Sequence, residues 1–237
     1  MSFRRLIVNL DAVAYLRQAR GRGEPDPVTA AAIARLAGSD GVNLQLRGDR
    51  HHTQDRDVRL MRQTVERGLS IDIEPIPELL KVVLEVRPDS VVMAPEAPLD
   101  VAQHGGLDVA AQLPALAEIV RSLRDGKISG SFLLAADLEQ VKAAHRVGAE
   151  SVRFQTGRFA EDGPDRESEF ERISDAARLA VKLGMQVSVG GGLGLSDVRA
   201  LCEIAAIQEF VVGASLTARA VMLGFERAVG EYREILR

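Results

Sequence analysis

The chain has 237 residues, 30 Lys and Arg against 34 Asp and Glu, and a formal net charge of −4. That length suits one α/β domain spanning 1–237, and the mixed charge gives no general attraction to nucleic acid or an anionic membrane. Hydrophobic residues make up 46%, but aromatics only 4% with no Trp, so Ala, Val, Leu and Ile must build the core. The lone cysteine, Cys202, excludes an intrachain disulfide; it falls in a helical pattern and reads as a small buried hydrophobe. No apolar run approaches membrane length. The opening Met1-Ser2-Phe3-Arg4-Arg5 runs straight into a strand with no signal-peptide core, so a cytoplasmic protein is expected.

In chain order, short β-branched runs alternate with longer helical patterns. A strand over 6–10 ends in Asn9-Leu10-Asp11 and leads through Arg17 and Arg20 to the turn Pro25-Asp26-Pro27, before a helix over 28–37. The next strand, 41–46, is followed by Arg47-Gly48-Asp49-Arg50-His51-His52 and a helix over 55–67. Strand 69–73 carries Asp72, with Glu74 just beyond on the same side, and a helix over 77–86 follows. Strand 90–93 precedes Pro95-Glu96 and a connection over 94–106, long enough to be a lid, then a helix over 114–124. Strand 131–135 with helix 138–147, and strand 151–154 with helix 166–183, continue the alternation. Strand 186–189 with helix 197–204, and strand 210–212 with a helix over 217–236, complete it. The last helix places Val221, Phe225, Val229 and Tyr232 on one stripe. Gly41, Gly68, Gly148 and Gly184 stand where helices should close before strands. Eight such units predict a (β/α)8 TIM barrel rather than an open, doubly wound sheet.

In such a barrel the loops after the strands carry the chemistry. The seventh and eighth strands end in Gly190-Gly191-Gly192 and Gly213-Ala214, each turning into a helix. Two adjacent glycine turns leading into helix N-termini read as a phosphate cradle, with ordinary strand-to-helix turns as the bland alternative. Asp11, Asp72, Glu74 and Glu96 lie at or just past strand ends and are candidate acid/base groups; pairing with nearby arginines is the alternative. Arg47, Arg50, His51 and His52 make a basic cluster suited to an anion, or else a turn paired with Asp49 and Asp55. Arg56, Asp57 and Arg59 read as structural. With His104 and His145 elsewhere, no ligand set has metal spacing, so neither a metal nor a cofactor is expected.

Several ordered stretches then carry a resemblance. They are Val8-Asn9-Leu10-Asp11, Leu16-Arg17-Gln18-Ala19-Arg20-Gly21, Leu46-Arg47, Asp49-Arg50, His52 and Asp55-Arg56-Asp57-Val58. Further along come Pro95-Glu96, Gly105-Gly106-Leu107-Asp108-Val109, Thr156-Gly157, Gly192-Leu193 and Arg219-Ala220-Val221-Met222. Over essentially its whole length the chain resembles the pyridoxine 5′-phosphate synthase family of vitamin B6 synthesis. The resemblance implies a TIM barrel, a homo-octamer, and condensation of 1-deoxyxylulose 5-phosphate with 3-amino-2-oxopropyl phosphate. It also implies substrate contacts at Asn9, Arg20, Arg47 and His52, and a backbone phosphate cradle at Gly192 and Gly213.

The departures from that pattern fall on its titratable positions. Histidines of the family are replaced by Ala12, Gln45, Gly191 and Ala214. Its glutamate on the third strand corresponds to Asp72, the Glu-x-His of the sixth reads Arg153-Phe154-Gln155, and the Glu after Leu-Arg is Gly48. Arg153 in place of a carboxylate favours an anionic ligand or a pair with Asp72 or Glu96. The leading expectation is a barrel that binds a phosphorylated small molecule and performs altered chemistry through Asp72, Glu96 or Asp11. A catalytically silent binding paralogue and an authentic synthase are the alternatives. A mouth plugged by Arg153 or Gln155 would favour the silent reading.

Overall fold

The computed structural model describes residues 4–95, 105–161 and 163–237. The strands are β1 (Arg5–Asn9), β2 (Gly41–Leu46), β3 (Leu69–Ile73), β4 (Ser90–Met93), β5 (Ser129–Leu134), β6 (Ser151–Gln155), β7 (Gln186–Gly190) and β8 (Glu209–Val212). All pair in parallel in sequence order, and β8 closes onto β1 with Leu6 opposite Phe210 and Val8 opposite Val212. The expected TIM barrel is therefore present. Around it run α1 (Asp11–Arg20), α2 (Pro27–Leu36), α3 (Asp55–Thr64), α4 (Pro77–Val86), α5 (Leu113–Asp125) and α6 (Leu138–Arg146). The ring continues with α7 (Gly157–Ala160), α8 (Arg166–Lys182), α9 (Leu195–Leu201), α10 (Ala214–Leu223) and α11 (Phe225–Ile235).

Strand alternation divides two environments. Leu6 and Val8, Val42 and Leu44, Leu69 and Ile71, Phe132 and Leu134, and Val187 and Val189 face outward into the main core beneath the helices. The opposite faces line the barrel interior, where branched apolar layers are usual. Here the interior is polar: Asn9, Asn43, Asp72 and Arg153 toward the C-terminal end, Ser129, Ser151 and Gln186 toward the other. A small separate apolar cluster of Val92, Ala94 and Leu133 completes one side.

Local chemistry sets the helix starts. Asp26 accepts from the Val28 N–H ahead of Pro27, and Asp137 accepts from Glu139 and Gln140. Gly68, Gly148 and Gly184 adopt positive φ before β3, β6 and β7, as helix-closing glycines do.

Several expectations need correction. Gly41 closes no helix; it is the first residue of β2 and packs its Cα face against the Gly68 carbonyl. Residues 11–20, read as a connection, form α1. Their apolar periodicity is broken because Arg17 takes a core-facing slot beside Val13 and Ala14. The final helix is two helices, α10 and α11, separated at Gly224 with φ of 88°. That break takes Val221 off the stripe to 72% exposure, while Val229 and Tyr232 stay buried. Cys202 is partly buried just past α9 rather than in the core.

Candidate active site

A cavity of about 240 Å³ opens at the C-terminal ends of the strands, where the sequence placed the chemistry. Its wall includes Asn9, Asp11, Gln45, Asp72, Arg153, Gly191, Gly192, Gly213 and Ala214. The remaining candidates lie elsewhere. Arg20 is exposed at the end of α1. Arg47 and His52 are buried behind the mouth in the β2–α3 connection. Glu96, His104 and most of the expected lid over 94–106 lie outside the described residues.

The floor is one hydrogen-bonded chain of side chains. The Asn9 amide donates to Asp11 Oδ2 at 2.7 Å and to Asn43 Oδ1 at 2.8 Å. Asn43 Nδ2 donates to Asp72 Oδ1 at 2.7 Å, and Arg153 Nη1 donates to Asp72 Oδ2 at 2.7 Å. Arg153 is only 4% exposed, and its Nε–H has no partner among the described residues. Burial pushes the Asp72 carboxyl above its ordinary value, although the Arg153 charge and the Asn43 hydrogen bond act the other way. Asp11 Oδ1 accepts the Gln45 backbone N–H at 2.7 Å, which ties β1 to β2 at the mouth.

The other side of the cavity is backbone. Gly191 has φ of 119°, and a Cβ there would overlap Gln155 Oε1. Gln155 in turn accepts from the Gly157 N–H at 2.9 Å. Gln155 and Arg153 thus line the mouth without filling it. Gly213 packs so closely on Asn9 that a Cβ would lie 2.6 Å from its Oδ1. Ser215 Oγ donates to the Gly192 carbonyl at 2.9 Å and joins the two glycine turns. At the start of α9, Asp197 accepts from the Gly194 N–H at 2.8 Å, and neither α9 nor α10 has its first-turn N–H groups capped by a side chain. Gly192, Gly213 and Ala214, ahead of these two helix starts, lie on the cavity wall, where an anion can meet backbone N–H groups.

Behind the floor stands a layer of paired, buried side chains. Arg17 forms a bidentate pair with Asp57 at 2.7 and 2.6 Å and donates to the His52 carbonyl at 2.9 Å. The His52 ring stacks on Tyr15, with centroids 4.1 Å apart, and its Nε2 lies 3.4 Å from Asp11 Oδ1. Burial pushes the Asp57 carboxyl up, but the Arg17 and Gln54 hydrogen bonds and the arginine charges pull it below the ordinary range. Arg47 holds Asp49 at 2.9 Å, and that hydrogen bond lowers the Asp49 carboxyl to about 2. Arg50 pairs with Asp55 and Glu78. The basic cluster is therefore engaged with carboxylates of its own and neighbouring turns. Glu74, also buried, lies beside Gly48 rather than in the cavity wall.

A family model described as "Pyridoxal phosphate biosynthesis protein PdxJ" matches residues 6–237. The chain belongs to this family. Curated relatives named pyridoxine 5′-phosphate synthase agree. The protein of Geobacter sulfurreducens is 43% identical over 235 residues, covering 98% of each chain. That of Syntrophobacter fumaroxidans is 44% identical over 229 residues, covering 96% of each. Among solved structures, a 3-keto-L-gulonate-6-phosphate decarboxylase from Vibrio cholerae superposes with a TM-score of 0.68 at 14% identity, covering 99% of this chain and 98% of its own. At that identity the likeness concerns the fold alone.

Asn43, the link between Asn9 and Asp72, is not marked by any motif in the sequence. It stands two residues before Gln45 on the same face of β2, and strand alternation was the available signal. The Arg17–Asp57 pair that supports the site carries no sequence signal either. Only three-dimensional proximity joins residues forty positions apart.

Proposed function

We propose that this chain is a diverged pyridoxine 5′-phosphate synthase-type barrel that binds a phosphorylated small molecule with its family's ring-closing condensation altered. The observation that carries this reading is the pairing, in one cavity, of a backbone glycine cradle with the buried Asp72–Arg153 ion pair. The cradle needs no titratable side chain, so it survives Gly191 and Ala214 standing where the family has histidines. The condensation needs acids and bases for imine formation and dehydration, each worth roughly 10²–10⁴-fold. Gln45, Arg153 and Gln155 supply none.

In this reading Asp72 and Asp11 are the acid/base groups, with Glu96 a further candidate. Asn9, Gln45 and Arg153 contact the ligand, and Gly191, Gly192, Gly213 and Ala214 hold its phosphate. Arg47 and His52 support the mouth from behind. Arg20 is exposed and is not among the residues of the cavity wall, and Leu16 of the same helix shares an exposed apolar groove with Val221 of α10. We infer a homo-oligomer in which that face is covered and Arg20 serves a neighbouring site.

Calorimetric titration with 1-deoxyxylulose 5-phosphate and inorganic phosphate tests the reading. Binding of the phosphorylated ketone, displaced by excess phosphate, is the expected result. Absence of any binding overturns it.

A further inference from the structure

Gln155 lines the cavity, yet neither the glycine cradle nor the acid/base floor has a use for its side chain. We infer that Gln155 is a specificity-determining residue. Its Nε2–H donates to a hydroxyl or carbonyl oxygen on the carbon next to the phosphate-bearing one, so the cavity selects polar phosphate esters over alkyl ones. This rests on the reading that the glycine turns hold phosphate.

Three observations carry the inference. First, the carboxamide is held one way round. Oε1 accepts the Gly157 N–H at 2.9 Å, and a backbone donor on that atom leaves Nε2 as the end that faces a ligand. Second, that end is open. Gln155 is only partly buried, and its Nε2 has no hydrogen-bond partner among the described residues. Unlike Arg153 Nε, it is not shut away from solvent. Water satisfies such a donor until a ligand oxygen takes its place. Third, the carboxamide lies against the cradle. A Cβ on Gly191 would sit 1.7 Å from Gln155 Oε1, 2.8 Å from Cδ and 3.2 Å from Nε2. Glycine at 191 thus makes room for the Gln155 side chain beside Gly192 in the same wall. Thr156 Oγ donates to the Gly191 carbonyl at 2.8 Å, so the glycine turn is fixed from the strand that carries Gln155.

Charge sets Gln155 apart from its neighbours. Asp11, Asp72 and Arg153 are the titratable residues of the wall among those described, and the last two are paired with each other. A neutral carboxamide holds an uncharged oxygen without drawing the phosphate off its backbone donors, as a cation in the same place would. An alkyl ester would strip water from Nε2 and give it no partner, which is how a hydrogen-bonding site rejects a ligand that lacks the oxygen. A cavity of about 240 Å³ suits one short ester and lies below the range of about 300–1,000 Å³ common for larger ligands.

The test is calorimetry with glycerol 3-phosphate, n-propyl phosphate and inorganic phosphate on the unmodified protein, Q155M and Q155E, each checked for folding by circular dichroism. The unmodified protein is expected to bind the glycerol ester more tightly than the propyl ester. Q155M, of similar volume but without the donor, should lose about 3- to 10-fold in affinity for the glycerol ester, the worth of one neutral hydrogen bond. It should keep the propyl ester and inorganic phosphate. Q155E retains an acceptor for the Gly157 N–H, and its charge beside the cradle should weaken all three probes. If Q155M fails to fold, the ester preference of the unmodified protein and the behaviour of Q155E still decide the matter. Equal affinity of the unmodified protein for the two esters, or parent-like binding of both by Q155M, would overturn the role of Gln155 and leave phosphate binding standing. Parent-like binding of inorganic phosphate by Q155E would overturn the placement of Gln155 beside the phosphate. No binding of any probe would remove both the cradle reading and this inference.

Discussion

The two sides of the mouth are built from different materials. Beside β7 and β8 the wall is backbone, shaped by Gly191 and Gly213 and by the uncapped start of α10. Across β1, β2, β3 and β6 it is a chain of side chains running from Asp11 through Asn9, Asn43 and Asp72 to Arg153. The difference teaches which side of the mouth tolerates substitution. Backbone geometry persists as long as the barrel folds and glycine is kept. A side-chain network depends on every residue in it, and here its end is the buried Asp72–Arg153 ion pair.

The largest expected effect comes from breaking that floor. Arg153→Ala leaves Asp72 without its counter-charge and should destabilise the fold by about 3–5 kcal/mol. The double variant D72N/R153M, which removes both charges, should recover most of that loss. Urea denaturation of the three proteins checks both statements, and equal losses in single and double variants would contradict the pairing. Behind the floor, Arg17→Ala should cost a similar amount, about 3–5 kcal/mol, because Asp57 is fully buried and also loses its bidentate partner.

The backbone side should respond differently. Gly191→Ala meets both a φ of 119° and the Gln155 side chain, so strain of about 1–3 kcal/mol is expected. Phosphate affinity should fall well beyond that of a substitution at Gln45, which lies on the other wall. Calorimetry with inorganic phosphate compares the two.

A smaller effect is pH dependence. The Asp57 carboxyl is held below its ordinary value of 3.8 in the folded state, so its contribution to stability is fully present above that value. It is lost as pH falls through the lower folded value. Thermal unfolding between about pH 5 and pH 2 should therefore flatten in Asp57→Asn relative to the parent. The smallest effect is expected at Arg20. Arg20→Ala should leave stability within about 0.5 kcal/mol, as exposed substitutions do, and should weaken ligand binding only in the assembled oligomer.

Much of this architecture was legible beforehand. Strand positions for β2, β3 and β4 follow from runs such as Leu69-Ser70-Ile71-Asp72-Ile73, where buried outward residues and polar inward ones alternate without ambiguity. The turn at Gly191-Gly192 was readable because positive φ has few other solutions. α1 was not readable, since Arg17 occupies an inward slot that only its distant partner Asp57 explains. Nor was the break at Gly224, where apolar spacing continues through Phe225 although the helix axis changes. In the site, Arg153 and Asp72 stood out as departures from the family, but their contact is a property of strands three and six meeting across the interior.

The central claim is that the backbone cradle works while the family's condensation does not. The direct measurement is calorimetric binding of 1-deoxyxylulose 5-phosphate alongside a turnover assay with 3-amino-2-oxopropyl phosphate as the second substrate. Binding of the ketone phosphate without formation of pyridoxine 5′-phosphate is the predicted result. Turnover at a rate of about 1 s⁻¹ or more, the ordinary range for enzymes, would contradict it and show that Gln45, Gly191 and Ala214 suffice where the family has histidines.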